Sequence, residues 1–136
     1  MADEDFDSAK ILSESVRKHC EIICHLCAQA IEKYLKGYLT WNDIIPEKTH
    51  NLAYLNRICA EKDKIFEEIK TECDILNRYS NDIRYPHKYE VNESGVNFTI
   101  NAVEKIKNIE PLIDIRNKVY NENNDEEKIV EQPNGA

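Results

Sequence analysis

The sequence is poor in chain-breaking residues, with 3 glycines and 4 prolines in 136 residues. That scarcity argues against turn-rich β structure and collagen-like repeats, and it favours a helical domain. No uninterrupted apolar run nears the roughly 18 residues that a bilayer span requires. The opening Met1-Ala2-Asp3-Glu4-Asp5 is acidic where a secretory leader is basic. A cytoplasmic protein with no membrane partner is therefore expected. A disulfide framework is also missing, because five cysteines (Cys20, Cys24, Cys27, Cys59, Cys73) are odd in number. Reduced thiols, mostly serving as small core residues, are the expectation. There is no Gly-rich phosphate loop, no Gly-x-Ser-x-Gly and no His-Glu-x-x-His, so no cofactor is implied.

What is present suits one compact domain. The formal net charge of -8 is concentrated at the ends, in Asp3, Glu4, Asp5 and Asp7 and in the stretch after 121. Acids and bases cancel over residues 8–121. A large basic nucleic-acid face is excluded, whereas a local cationic cleft on a neutral body is not. The domain is expected over 1–121, followed by an acidic, disordered tail at 122–136 that cannot bury enough to order itself.

Apolar residues at 9, 12, 16, 20, 23, 27, 31, 34 and 38 keep a helical period with no breaker except Gly37. They predict one helix from Ser8 to about Leu39, a rod of roughly 45 to 50 Å. Thr40 to Thr49 reads as a loop, and a short helix follows from about His50 to Glu61. Asp63 is expected to cap a third helix that ends near Ser80. Residues 81–98 contain Pro86 and read as an extended loop, with a short hairpin around Asn92–Gly95 as the alternative. From Thr99, taken as a cap, the helical period resumes to about Tyr120, with a break or kink at Pro111. The sum is all-α: an antiparallel up-and-down bundle of four to five helices with a long first helix.

The densest cluster of metal-type side chains is His19, Cys20, Cys24, His25 and Cys27. Its cysteines share the apolar stripe while the histidines point elsewhere, and four ligands from one straight helix cannot enclose a tetrahedral ion. No metal site is expected.

A second set is polar. Gln29, Lys33 and Lys36 follow one stripe of the first helix, with Glu32 four residues before Lys36. A surface ion pair worth about 0.3 to 0.5 kcal/mol accounts for Glu32 and Lys36 without any ligand. Lys48, Thr49, His50, Arg84 and Lys88 stay outside that explanation. Thr49 or Asn51 is expected to cap the second helix, with His50 flanking it. Arg84 precedes Tyr85-Pro86, so its backbone is held extended and its guanidinium suits bidentate binding of phosphate or carboxylate.

Cys24, Gln29, Glu32, Lys33 and Lys36, then Thr49, His50, Leu52 and Leu55, then Arg84, Tyr85 and Pro86 form an ordered pattern. In it the chain resembles the HEPN domain family (higher eukaryotes and prokaryotes nucleotide-binding) over residues 8 to 120. The resemblance implies a helical bundle that forms a homodimer. It also implies a nucleotide or RNA ligand, bound by Gln29, Glu32, Lys33, Lys36, His50 and Arg84, and a separate minimal nucleotidyltransferase as partner, as in toxin-antitoxin pairs. A dimer-interface polar network is the alternative use of the same residues.

Many family members resemble metal-independent ribonucleases whose arginine is followed by a histidine four to six residues later. No pair here fits, and the last helix has no histidine to act as general base. The expectation is a binding module without turnover. The alternative is a toxin-like ribonuclease with an atypical site at Arg84 and His87.

Overall fold

A computed structural model describes residues 2–15, 20–79 and 93–131, with side chains over 2–11, 20–79 and 93–124. Among these residues there is no strand. Six α-helices follow one another: α1 Ala2–Ser15, α2 Cys20–Trp41, α3 Leu52–Lys62, α4 Lys70–Leu76, α5 Glu93–Lys107 and α6 Glu110–Glu131. Short 3-10 segments, Lys64–Ile69 and Asn77–Tyr79, flank α4.

α2 is the central rod, in contact with α1, α3, α5 and α6. Cys24, Cys27, Ile31, Leu35 and Leu39 recur every three or four residues along it and are buried, as is Ile23. Phe6 and Ala9 of α1, Leu52, Leu55 and Cys59 of α3, and Val103 and Ile106 of α5 are fully buried in the same core. Each large aliphatic side chain removed from water here stabilises the fold by roughly 1.5–3 kcal/mol. Tyr38 stacks on Phe66 at 4.5 Å between ring centroids, fixing α2 against the segment that follows α3. Lys105 of α5 reaches both oxygens of Glu72 (3.1 and 3.0 Å) and the Glu68 carbonyl (3.0 Å). This satisfies the buried Glu72 carboxylate, which would be costly alone.

The expected long first helix is corrected. Lys33 donates to Asp5 and the Tyr34 hydroxyl donates to Asp3. In one straight helix these partners, 28 and 31 residues apart, would be separated by roughly 42 to 47 Å. α1 and α2 are instead two helices, and α1 lies back along α2. Folding back buries Phe6 and Ala9, which a lone rod would leave in water.

The other boundaries follow local chemistry. α2 stops where Asp43 enters the left-handed region (φ 60°) and Ile44 N–H returns to the Leu39 carbonyl at 2.8 Å. Asn51 caps α3, accepting from Tyr54 N–H at 3.0 Å, while Thr49 Oγ1 accepts from Asn51 N–H at 3.1 Å. Asp63 caps the next segment through Ile65 N–H at 3.1 Å. α5 and α6 part at Asn108-Ile109, and Pro111 stands in the first turn of α6, where its missing N–H costs nothing.

Two further expectations are corrected. Residues 93–98 begin α5, neither loop nor hairpin, because Val96, Thr99, Ala102, Val103 and Ile106 form one buried helical stripe. Thr99 is accordingly no cap: it is buried, donating from Oγ1 to the Val96 carbonyl at 2.8 Å, with Cys24 Sγ at 3.6 Å. Residues 80–92, with Arg84, Tyr85, Pro86, His87 and Lys88, lie outside the described residues. α6 runs to Glu131, through 122–131 of the acidic tail segment.

Candidate functional site

The C-terminal half of α2 presents Lys33, Tyr34, Lys36, Gly37, Thr40 and Trp41 at helical spacing on one side. With Ala2 and Asp3 of α1 they line an open groove of about 800 Å³. Gly37 sits in the middle of the helical wall, and a Cβ built there would meet nothing within 4 Å. Its missing side chain therefore widens the groove, and no packing demands a glycine at that position.

Charge is arranged around the groove in two linked sets. On one side Lys33 donates to Asp5. Nearby, Asp3 accepts from the Tyr34 hydroxyl and lies 3.5 Å from Lys107 Nζ. Burial pushes the Asp3 carboxyl up, but the Tyr34 hydrogen bond and the charges of Lys107 and Arg116 outweigh it and hold Asp3 below its ordinary 3.8. Burial, reinforced by Asp3, drives the Tyr34 hydroxyl well above its usual range, so it stays a donor.

On the other side Lys36 Nζ meets Glu32 Oε2 at 3.1 Å, and His50 Nδ1 donates to Glu32 Oε1 at 2.8 Å. Glu32 is thus a hinge between a groove lysine and the exposed His50. With Nδ1 committed to the carboxylate, the other ring nitrogen is left for solvent or a ligand.

The sequence-derived set separates as follows. Lys33 and Lys36 share the groove; Glu32 and His50 are tied to it through Lys36. Gln29 is exposed on α2 one turn before Lys33 and does not line it. Lys48 is exposed in the loop and Thr49 serves the start of α3. Arg84 and His87 fall outside the described residues. Asn51 is the cap of α3 and His50 flanks it, as the sequence suggested.

Sequence reasoning missed Trp41, Tyr34 and Arg116. Trp41 is the only tryptophan of the chain and is 39% exposed beside the groove. Its signal was readable, since it lies eight residues after Lys33 and four after Gly37, on one helical face. Arg116 comes from α6, and its approach to Asp3 and Tyr34 is a tertiary fact without a local signal. Its Nη1 is buried with no hydrogen-bond partner.

The cysteines lie in the core and not at this site. Burial pushes the thiols of Cys24 to about 11 and of Cys27 and Cys59 to about 12.

The groove can therefore receive an anionic group, which would replace Asp5 or Glu32 as the partner of a lysine, together with a flat group against Trp41. Among the described residues no helix is long and apolar enough to cross a membrane. No curated protein and no solved structure matches the chain. A family model described as the HEPN domain matches residues 1–113. The ordered pattern of α2 and the start of α3, the all-helical architecture and this match together place the chain in the HEPN domain family.

Proposed function

We propose that this HEPN chain is a nucleotide- or RNA-binding helical module that holds its ligand without turning it over. The observation that carries the reading is the convergence of Lys33, Lys36 and Trp41 on one groove widened by Gly37. Phosphate oxygens take the two ammonium groups, and a base stacks on the indole. Glu32 and Asp5 hold the lysines in place until the ligand arrives. His50 is held by Glu32 and keeps its other ring nitrogen open to solvent.

In this reading the module is an antiparallel bundle over 1–121, carrying the acidic segment 122–136. It forms a homodimer in the cytoplasm and supplies the substrate-binding half for a minimal nucleotidyltransferase, in a toxin-antitoxin arrangement. Arg84 joins the phosphate-binding set.

Equilibrium titration with a labelled adenine nucleotide and with single-stranded RNA tests the site. Lys33→Ala and Lys36→Ala are each expected to weaken binding about tenfold, the loss of one charge-assisted hydrogen bond. Gly37→Leu is expected to block the groove while the melting temperature stays near that of the parent. Absence of saturable binding by the parent protein overturns the reading. Cleavage of structured RNA that disappears in Arg84→Ala and His87→Ala would replace it with the ribonuclease reading.

A further inference from the structure

A second concavity, of about 500 Å³, lies between α3 and the segment from Lys64 to Leu76. α3 supplies the adjacent Asn56 and Arg57 and, one helical turn on, Ala60, and the facing segment supplies Glu67, Lys70 and Asp74 at steps of three and four. Neither Lys33 nor Lys36 touches it, and the nucleotide reading makes no use of it.

Three features give this groove a chemistry. The first is Asn56, 3% exposed, whose Nδ2 donates to the Phe66 carbonyl at 2.9 Å while its Oδ1 is buried without any partner. A buried carbonyl oxygen without a donor is a cost that an arriving N–H removes. The second is Arg57, whose guanidinium lies 5.3 Å from the Tyr54 ring centroid and has no carboxylate partner among the described residues. Held over the ring, it keeps its donors for an anion. The third is the balance of sign: Arg57 of α3 faces a wall that carries Glu67, Lys70 and Asp74, with Lys70 and Asp74 joined at 2.7 Å.

We infer that this groove binds a free α-amino acid in its zwitterionic form. The ammonium donates to Asn56 Oδ1 and faces Glu67, the carboxylate takes the Arg57 fork, and the small Ala60 leaves room for the side chain. A lining of two cations and two carboxylates complements a molecule that carries one charge of each sign. It opposes a phosphate dianion, which would meet both Glu67 and Asp74.

Calorimetric titration of the full-length protein with each of the common amino acids, with inorganic phosphate as the anionic control, tests the assignment. Expected is saturable binding of at least one amino acid with Kd below about 1 mM. That binding is lost in Ala60→Phe, which fills the groove, and weakened at least about tenfold in Arg57→Gln. Lys36→Ala leaves it unchanged, which separates this site from the nucleotide groove. Thermal melting checks that Ala60→Phe folds; should it not, the exposed Arg57→Gln variant decides. The proposal is overturned if no amino acid binds in that range, if binding survives in the folded Ala60→Phe variant or is unaltered in Arg57→Gln, or if phosphate binds and no amino acid does.

Discussion

At the scale of single residues, the contrast between Gly37 and the four buried cysteines separates ligand space from packing. A glycine inside a helix is unfavourable by roughly 0.5–1 kcal/mol relative to alanine, and the open space around Gly37 shows that no neighbour requires it. Gly37→Ala is therefore expected to stabilise the protein by about that amount in a denaturant melt, since it relieves the helix and meets nothing. A loss of stability would mean that the groove is closed in solution. The cysteines behave in the opposite sense. Cys24, Cys27, Cys59 and Cys73 are buried and their thiols are held protonated by burial. Under native conditions an aromatic disulfide reagent is expected to spare all four and to modify them only on unfolding. Rapid modification of any of them in the folded protein would contradict the core described above.

At the scale of elements, the docking of α1 on α2 builds one wall of the groove, and it rests on two different forces. Phe6 and Ala9 supply apolar burial, so Phe6→Ala is expected to cost about 3–5 kcal/mol by denaturant melt. Asp3 supplies a charged anchor to Tyr34 and Lys107. Its folded-state pKa lies below the unfolded value of 3.8. The anchor therefore contributes fully above about pH 4 and is lost as pH falls through the folded value. Stability is expected to decline on that acid limb and to decline less steeply in Asp3→Asn. Identical acid limbs for the two proteins would remove Asp3 from the account.

The same element shows how much was legible in the sequence. The stripe of α2, the cap at Asn51, the cap at Asp63 and the break before Pro111 all depend on neighbours three or four residues away, and pattern reading found them. The reversal between α1 and α2 did not announce itself. No glycine or proline marks it, and a helical period continues across it in register. Only the tertiary gain of burying Phe6 decides between a rod and a hairpin. Thr99 misled for a related reason: as a buried residue bonding back to the Val96 carbonyl, it resembles a cap in composition but serves the helix interior. Of the site, Lys33, Lys36, Glu32 and His50 were readable from spacing and motif, while Arg116 required the packing of α6.

At the scale of the whole molecule, charge sets the conditions for function. The protein is acidic at -8 overall, and in the sequence the excess acids fall before residue 8 and after 121, with the stretch between them balanced. A phosphate ligand must reach two lysines that already have carboxylate partners. Affinity is therefore expected to fall as salt rises, since both the ligand contacts and the long-range field are screened within about 8–10 Å at physiological ionic strength. If the acidic segment competes for the groove, truncation after Tyr120 raises affinity at low salt and has less effect at moderate salt. Equal affinities at both salts would show that it does not.

In the proposed function Lys33, Lys36 and Trp41 act together on one ligand. The single tryptophan makes that directly measurable, because every change in indole emission reports on Trp41. Emission is followed while a nucleotide, and separately a short single-stranded RNA, is titrated into the full-length protein. Expected is a saturable change that shifts to higher ligand concentration in Lys36→Ala and vanishes in Gly37→Leu. Emission that stays constant up to about 1 mM ligand, or that changes identically in the parent and in Gly37→Leu, would contradict it.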